Sequence, residues 1–112
     1  MKRLLATISL CALISACGSY GLRDTTPKLS SRTNKDIPTY LECTRAKWAE
    51  TAQVSASHKD QTGSLSGSDK AGAHELIEVT ADGTGAQVMM YETQDGKKDY
   101  NSAYRDAAVS CL

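Results

Sequence analysis

Four cysteines and two histidines are the residues of this 112-residue chain that could carry metal, redox or nucleophilic chemistry. His58 and His74 lie sixteen residues apart, without the close His or carboxylate spacing of a zinc site. The sequence contains no phosphate loop, dinucleotide-binding fingerprint or Gly-x-Ser-x-Gly motif. Glu75 and Glu78 stand three apart on a predicted strand, so they point to opposite faces and cannot act as a catalytic pair. The sequence therefore predicts no catalytic residue, no metal and no cofactor.

The N-terminus has the order of features found in a secretory signal. Lys2 and Arg3 supply positive charge, and residues 4–16 form a run without any charged residue. As a helix, about a dozen residues would span only ~18 Å, well short of the ~30 Å hydrocarbon core of a bilayer. A cleaved signal is therefore favoured over a permanent transmembrane helix.

The segment Leu13-Ile14-Ser15-Ala16-Cys17 resembles the lipobox of bacterial lipoproteins, an aliphatic residue and two small residues before a cysteine. The resemblance implies that the Cys17 thiol receives a diacylglyceryl group, that signal peptidase II cuts before Cys17, and that the new amino terminus is acylated. Cys11 follows the bulky Leu10 and is expected to leave with the signal peptide. Several acyl chains anchor a protein stably. In bacterial lipoproteins, an Asp directly after the lipidated cysteine tends to retain the protein in the inner membrane. This chain has Gly18 at that position, which favours the periplasmic face of the outer membrane.

Two cysteines remain for the mature domain, Cys43 and Cys111. Because the signal directs the chain to an oxidising compartment, a disulfide between them is the expected state, with two free thiols as the alternative. A bond that closes a loop of roughly seventy residues would stabilise a small domain by about 4 kcal/mol in the chain-entropy model.

Composition divides the chain into three segments: a signal peptide at 1–16, a lipidated flexible tether at 17–36 and a small periplasmic domain at 37–112. The tether contains few apolar residues and has a charge of about +2. The predicted domain carries seven Lys and Arg against eleven Asp and Glu, a charge of about −4, although the whole chain is neutral. That neutrality gives no electrostatic argument for nucleic-acid binding.

Hydrophobic periodicity predicts a helix at each end of the domain. The first runs from about Tyr40 to Glu50, with Thr39 as N-cap and Glu42 completing a capping box. The second carries an apolar stripe from Tyr100 to Cys111 at helical spacing, with Asp99 as N-cap.

Alternating residues and glycine-rich turns between the helices predict four strands in an antiparallel meander. The expected fold is therefore α+β, with both helices joined by the disulfide and packed on one face of the sheet. One predicted strand contains an apolar run made of Val88, Met89 and Tyr91 with the intervening Met90. These four side chains cannot all face a single core. Either both faces of that strand are covered, or part of it binds a partner.

These features predict a non-enzymatic lipoprotein that binds another protein as an accessory of a cell-envelope or secretion assembly. An alternative is an inhibitor or immunity-type lipoprotein that blocks a basic enzyme such as a lysozyme through its acidic surface. A small envelope hydrolase is a further alternative, although a short domain leaves little room for a recessed site.

Overall fold

A computed structural model of the protein describes residues 22–94 and 100–112. They form one five-stranded antiparallel sheet and two helices, an α+β architecture. In chain order the elements are β1 (Leu29–Thr33), α1 (Ile37–Trp48), β2 (Gln53–Lys59), β3 (Thr62–Ser68), β4 (His74–Asp82), β5 (Gly85–Thr93) and α2 (Ala103–Ser110). Within these described ranges, no helix is long and apolar enough to cross a bilayer.

Strands β2 to β5 form the predicted meander, each pairing with the next. The turn between β4 and β5 has two residues, and Gly83 takes a positive φ of 65°, which glycine adopts without steric cost. The buried strand residues lie mainly on the face that packs against α1, where they form the core. This core face includes Leu65, Ile77, Val79, Val88 and Met90.

The sheet contains a fifth strand that was not predicted. Leu29–Thr33 pairs antiparallel with β5 and gives the strand order β1-β5-β4-β3-β2. The tether predicted for residues 17–36 was therefore wrong for this part, because the five residues exchange backbone hydrogen bonds with β5 despite containing a single apolar side chain. Thr33 Oγ1 also donates to the Leu112 carbonyl at 2.7 Å, which links β1 to the C-terminus.

Helix α1 begins earlier than the predicted Tyr40, and Thr39 is not its N-cap. Asp36 caps the helix, since its Oδ1 accepts the Thr39 N–H at 2.9 Å. Pro38 lies in the first turn, where its missing N–H costs nothing. The predicted capping box does not form, because Glu42 bonds to Arg45 on the next turn at 2.6 Å.

Helix α2 is shorter than its apolar stripe. Tyr104, Ala108 and Cys111 are buried as predicted, but Tyr100 precedes the helix, which begins after Ser102. The predicted N-cap, Asp99, lies outside the described residues.

The two helices contact each other through the largest aromatic side chains of the core. Trp48 and Tyr104 meet edge to face with their ring centroids 5.7 Å apart, and Trp48 Nε1 donates to the Tyr104 carbonyl at 3.0 Å. Tyr40 Oη donates to the Ala108 carbonyl at 2.8 Å. Burial raises the pKa of the Tyr40 phenol to about 12, so this donor keeps its proton throughout the neutral range.

A disulfide joins Cys43 of α1 to Cys111 at the end of α2, as predicted. The two Cα atoms are 5.8 Å apart and 68 residues apart in sequence. The bond therefore pins both helices together on one face of the sheet, and closes a loop that contains the whole meander.

Reduction of the Cys43–Cys111 bond should destabilise the domain by about 4 kcal/mol, because the unfolded chain regains the entropy of a long loop. For a domain of this size that loss lowers the melting temperature by roughly 15 °C or more. Thermal denaturation with and without reductant measures the shift. The control is a variant with both Cys43→Ser and Cys111→Ser, which should melt at the reduced temperature in either buffer. An unchanged melting temperature on reduction would contradict the stabilisation assigned to the disulfide.

Gly85→Ala should detach β1 from the sheet, because a Cβ at Gly85 would lie 2.1 Å from the Thr33 carbonyl oxygen. Such overpacking against backbone typically costs about 1–3 kcal/mol. Amide hydrogen exchange should speed up selectively across Leu29–Thr33. The matched control is Gly83→Ala in the adjoining turn, where the added Cβ meets only the Arg32 side chain at 3.6 Å and the cost is backbone strain. Equally accelerated amide exchange in β1 for both variants would mean that the clash with the Thr33 carbonyl does not cause the detachment.

Candidate functional site

The predicted site residues fall in three different environments. Cys17, the predicted lipid acceptor, lies outside the described residues. Val88 is fully buried in the core against the helices, so it cannot form part of a partner-binding surface. Met89 and Tyr91 lie on the opposite, helix-free face of the sheet and are half-buried. The apolar run of β5 is thus divided between the two faces, in keeping with strand alternation.

The two histidines lie on opposite faces of the sheet. His58 pairs with Gly63 on the core side, whereas His74 alternates with Glu75 and lies on the helix-free side. In the part of the chain that the structure describes, no three His, Cys, Asp or Glu side chains converge as a metal site would require.

Two carboxylates that were not predicted to lie together are buried side by side on the core face. Glu75 of β4 pairs with Glu92 of β5, and their exposed fractions are 1% and 4%. Buried carboxylates need hydrogen bonds or charges around them. Tyr100 supplies such a bond to Glu92, with its hydroxyl 2.6 Å and 2.5 Å from the two carboxylate oxygens.

A second tyrosine–carboxylate pair lies beside the first. Tyr104 Oη donates to Asp69 at 2.6 Å, and Asp69 also accepts the Ala71 and Ala73 N–H groups in the β3–β4 loop. Burial is the larger cause that raises the pKa of Tyr100 and Tyr104 above the usual value, and the carboxylate bonded to each phenol raises it further. Both phenols therefore remain protonated donors, and they attach the α2 region to β5 and to the β3–β4 loop.

The sheet has two outer edges, of which β2 offers the longer. Among the residues that the structure describes, strand β2 pairs with β3 alone, and its other side meets no strand over the seven residues Gln53–Lys59. The edge at β1 has five residues and lies near the C-terminus, where Lys35 Nζ bonds to the Cys111 carbonyl. A long unpaired edge is a template for pairing with another extended chain.

Hydrogen-bond alternation determines which backbone groups of β2 point outward. The Ala81 N–H donates to the Gln61 carbonyl at 2.8 Å, one residue before β3 begins. Because successive residues of an antiparallel strand bond to opposite sides, the even-numbered residues of β3 bond to the odd-numbered residues of β2. The three residues with outward N–H and C=O groups are therefore Val54, Ala56 and His58.

A groove runs between this edge and helix α1. It has a volume of about 180 Å³ and is lined by Pro38 and Leu41 of the helix, by Ala56 and His58 of the strand, and by the Glu42–Arg45 ion pair at its rim. A wider groove of about 650 Å³ lies at the other end of the edge, between the α1–β2 and β3–β4 loops.

The edge and the grooves together form the candidate site, which we call the β2 edge site. In strand addition, main-chain hydrogen bonds supply affinity and pockets for alternate side chains supply specificity. Side chains of an added strand that point toward the helices would enter the groove beside α1. The predicted meander already placed β2 at a sheet edge, but the groove depends on where α1 packs.

Comparisons with protein-family models, with curated protein sequences and with solved structures find no significant match to this chain. Inference about its function therefore depends on its own residues and geometry.

Proposed function

We propose that this protein is a cell-envelope lipoprotein, anchored through lipidated Cys17 to the periplasmic face of the outer membrane, whose domain binds another protein. In this role it is an accessory of an envelope or secretion assembly and performs no catalysis. The order of charged residues, apolar run and lipobox supports the anchor. The Cys43–Cys111 disulfide supports export to an oxidising compartment.

The observation that carries the binding function is the β2 edge site. Three outward-facing N–H and C=O pairs lie along one strand, and small side chains at Ser55, Ala56 and Ser57 leave the backbone accessible. The adjoining groove has an apolar floor from Pro38 and Leu41 and a charged rim. The partner that fits this arrangement is an extended segment of another protein, whose backbone completes the β2 edge.

The inhibitor alternative loses part of its support once β1 joins the domain. Arg23, Lys28, Arg32 and Lys35 belong to the described structure, so residues 22–112 carry eleven Lys and Arg against thirteen Asp and Glu. The charge is then about −2 rather than −4, which weakens electrostatic steering toward a basic enzyme. The hydrolase alternative gains no support of its own, since the phenols and carboxylates that converge, Tyr100 with Glu92 and Tyr104 with Asp69, are hydrogen-bonded to each other.

Cys17→Ala should abolish lipidation and leave an unprocessed precursor, because signal peptidase II acts on the modified cysteine. Labelling of intact cells with a radioactive or clickable palmitate measures this directly. Cys11→Ala is the matched control, and it should label and mature normally. Continued labelling of the Cys17→Ala protein would refute the proposed anchor.

Ala56→Pro should weaken partner binding by about tenfold or more, since proline removes an outward N–H at the centre of the edge and cannot accommodate an added strand there. The N–H lost is not used by the β2–β3 ladder, so the domain should remain folded. A photo-crosslinking residue at His58 in intact cells should give a discrete adduct that mass spectrometry identifies. The adduct should disappear in the Ala56→Pro background.

The matched control is Ala56→Ser, which keeps the backbone N–H and should retain the adduct. A circular-dichroism melt of each variant verifies that the domain is folded. An adduct that persists at full yield in folded Ala56→Pro protein would mean that the partner does not bind through the β2 backbone.

A further inference from the structure

The chain that precedes β1 crosses the helix-free face of the sheet. Arg23 Nε bonds to Glu78 of β4, while the Lys28 N–H donates to the Met90 carbonyl of β5 at 2.7 Å. Residues 23–28 therefore pass over β5 on the side opposite the helices. Arg23 also lines a groove of about 250 Å³ on this face with Ser57 and Ser64, so the segment reaches the middle of the sheet.

We propose that the helix-free face of the sheet lies against the lipid surface of the membrane that holds Cys17. This inference rests on the lipid anchor of the proposed function. It goes beyond the anchor in assigning an orientation, with the sheet toward the lipid head groups and the helices and disulfide directed away.

Chain length supplies the first argument. Six peptide units separate Cys17 from Arg23, and a fully extended chain of that length spans at most about 20 Å. The Arg23 guanidinium lies over the central strand β4, which is two strands or about 10 Å from either sheet edge. To reach the helix side, the chain would have to pass from there around a sheet edge and then past a helix layer about 10 Å thick. That path is longer than the extended chain between Cys17 and Arg23. The anchor therefore emerges on the sheet side.

The chemistry of the face supplies the second argument. Strand β4 carries two acidic residues on this side, Glu78 and Asp82. They form ion pairs with Arg23 and Arg32 respectively, which neutralise the carboxylates and so reduce their repulsion of anionic head groups. Of the other strand residues on this side, Leu76 is buried and Met89 and Tyr91 are half-buried. A larger group bears hydroxyl groups: Ser55, Ser57, Thr62, Ser64, Ser66, Ser68, Thr80 and Thr93. Hydroxyl groups hydrogen-bond readily to phosphate and glycerol oxygens.

Depth-sensitive quenching of the full lipidated protein tests the orientation. A genetically encoded fluorescent amino acid replaces either Ser66, exposed on the helix-free face, or Ala46, exposed on α1. The proteins are reconstituted into vesicles of phosphatidylethanolamine and phosphatidylglycerol that contain head-group spin-labelled lipid. We expect several-fold stronger quenching at position 66 than at position 46. Equal quenching at the two positions in vesicle-bound protein would overturn the proposed orientation.

A longer linker is the matched control. Insertion of fifteen Gly and Ser residues between Ser19 and Tyr20 leaves the lipobox intact and should reduce quenching at position 66 to the level at position 46. Quenching that the insertion leaves unchanged would overturn the chain-length argument. Vesicle flotation and the mass of the N-terminal lipopeptide report the anchor separately. A protein that does not float would refute the anchor and the orientation together, whereas flotation with equal quenching refutes the orientation alone.

Discussion

The pairing of Leu29–Thr33 with β5 is the interaction on which the organisation of this molecule depends. It converts a basic N-terminal segment into part of the domain and covers the outer edge of β5. Three residues after the strand ends, Asp36 caps α1, and Thr33 bonds to the C-terminal Leu112. One strand thus connects the start of the first helix, the end of the second and the chain that leads back to Cys17. Because β1 belongs to the sheet, few residues separate Cys17 from the domain, and in the proposed arrangement this short separation restricts how the domain can face a membrane.

Two consequences follow for binding. The helix-free face, crossed by residues 23–28, is directed toward the lipid surface in the proposed arrangement. The β2 edge then lies at the side of the domain, and the groove beside α1 lies on the face that carries the helices. The tyrosine–carboxylate contacts of Tyr100 and Tyr104 attach the α2 region, and neither tyrosine lines that groove. Anchor, orientation and binding edge are therefore compatible in one molecule.

Much of the fold could be predicted from local pattern, because the meander and the helices depend on periodicity and turns. The two-residue turn at Gly83 and Thr84 even sets a register that places Glu75 opposite Glu92, so this buried pair was accessible to sequence reasoning. Strand β1 was not, because a stretch with Leu29 as its one apolar residue is stabilised by pairing with β5 rather than by its own pattern. The start of α1 was misplaced because the Asp36 carboxylate accepts the Thr39 N–H, which the capping-box pattern assigned to the Glu42 side chain. Of the candidate site, the edge strand was predictable and the groove was not, because it depends on how α1 packs.

The central claim is that β2 presents an unpaired backbone edge that a partner strand completes. Amide hydrogen exchange along Gln53–Lys59, measured in the purified domain and again in the protein isolated with its native envelope complex, tests this claim most directly. In the purified domain the account predicts fast exchange at Val54, Ala56 and His58 and slow exchange at Ser55 and Ser57. In the complex the three fast amides should become protected. Protection that is uniform along β2 in the purified domain, or fast amides that stay fast in the complex, would contradict it.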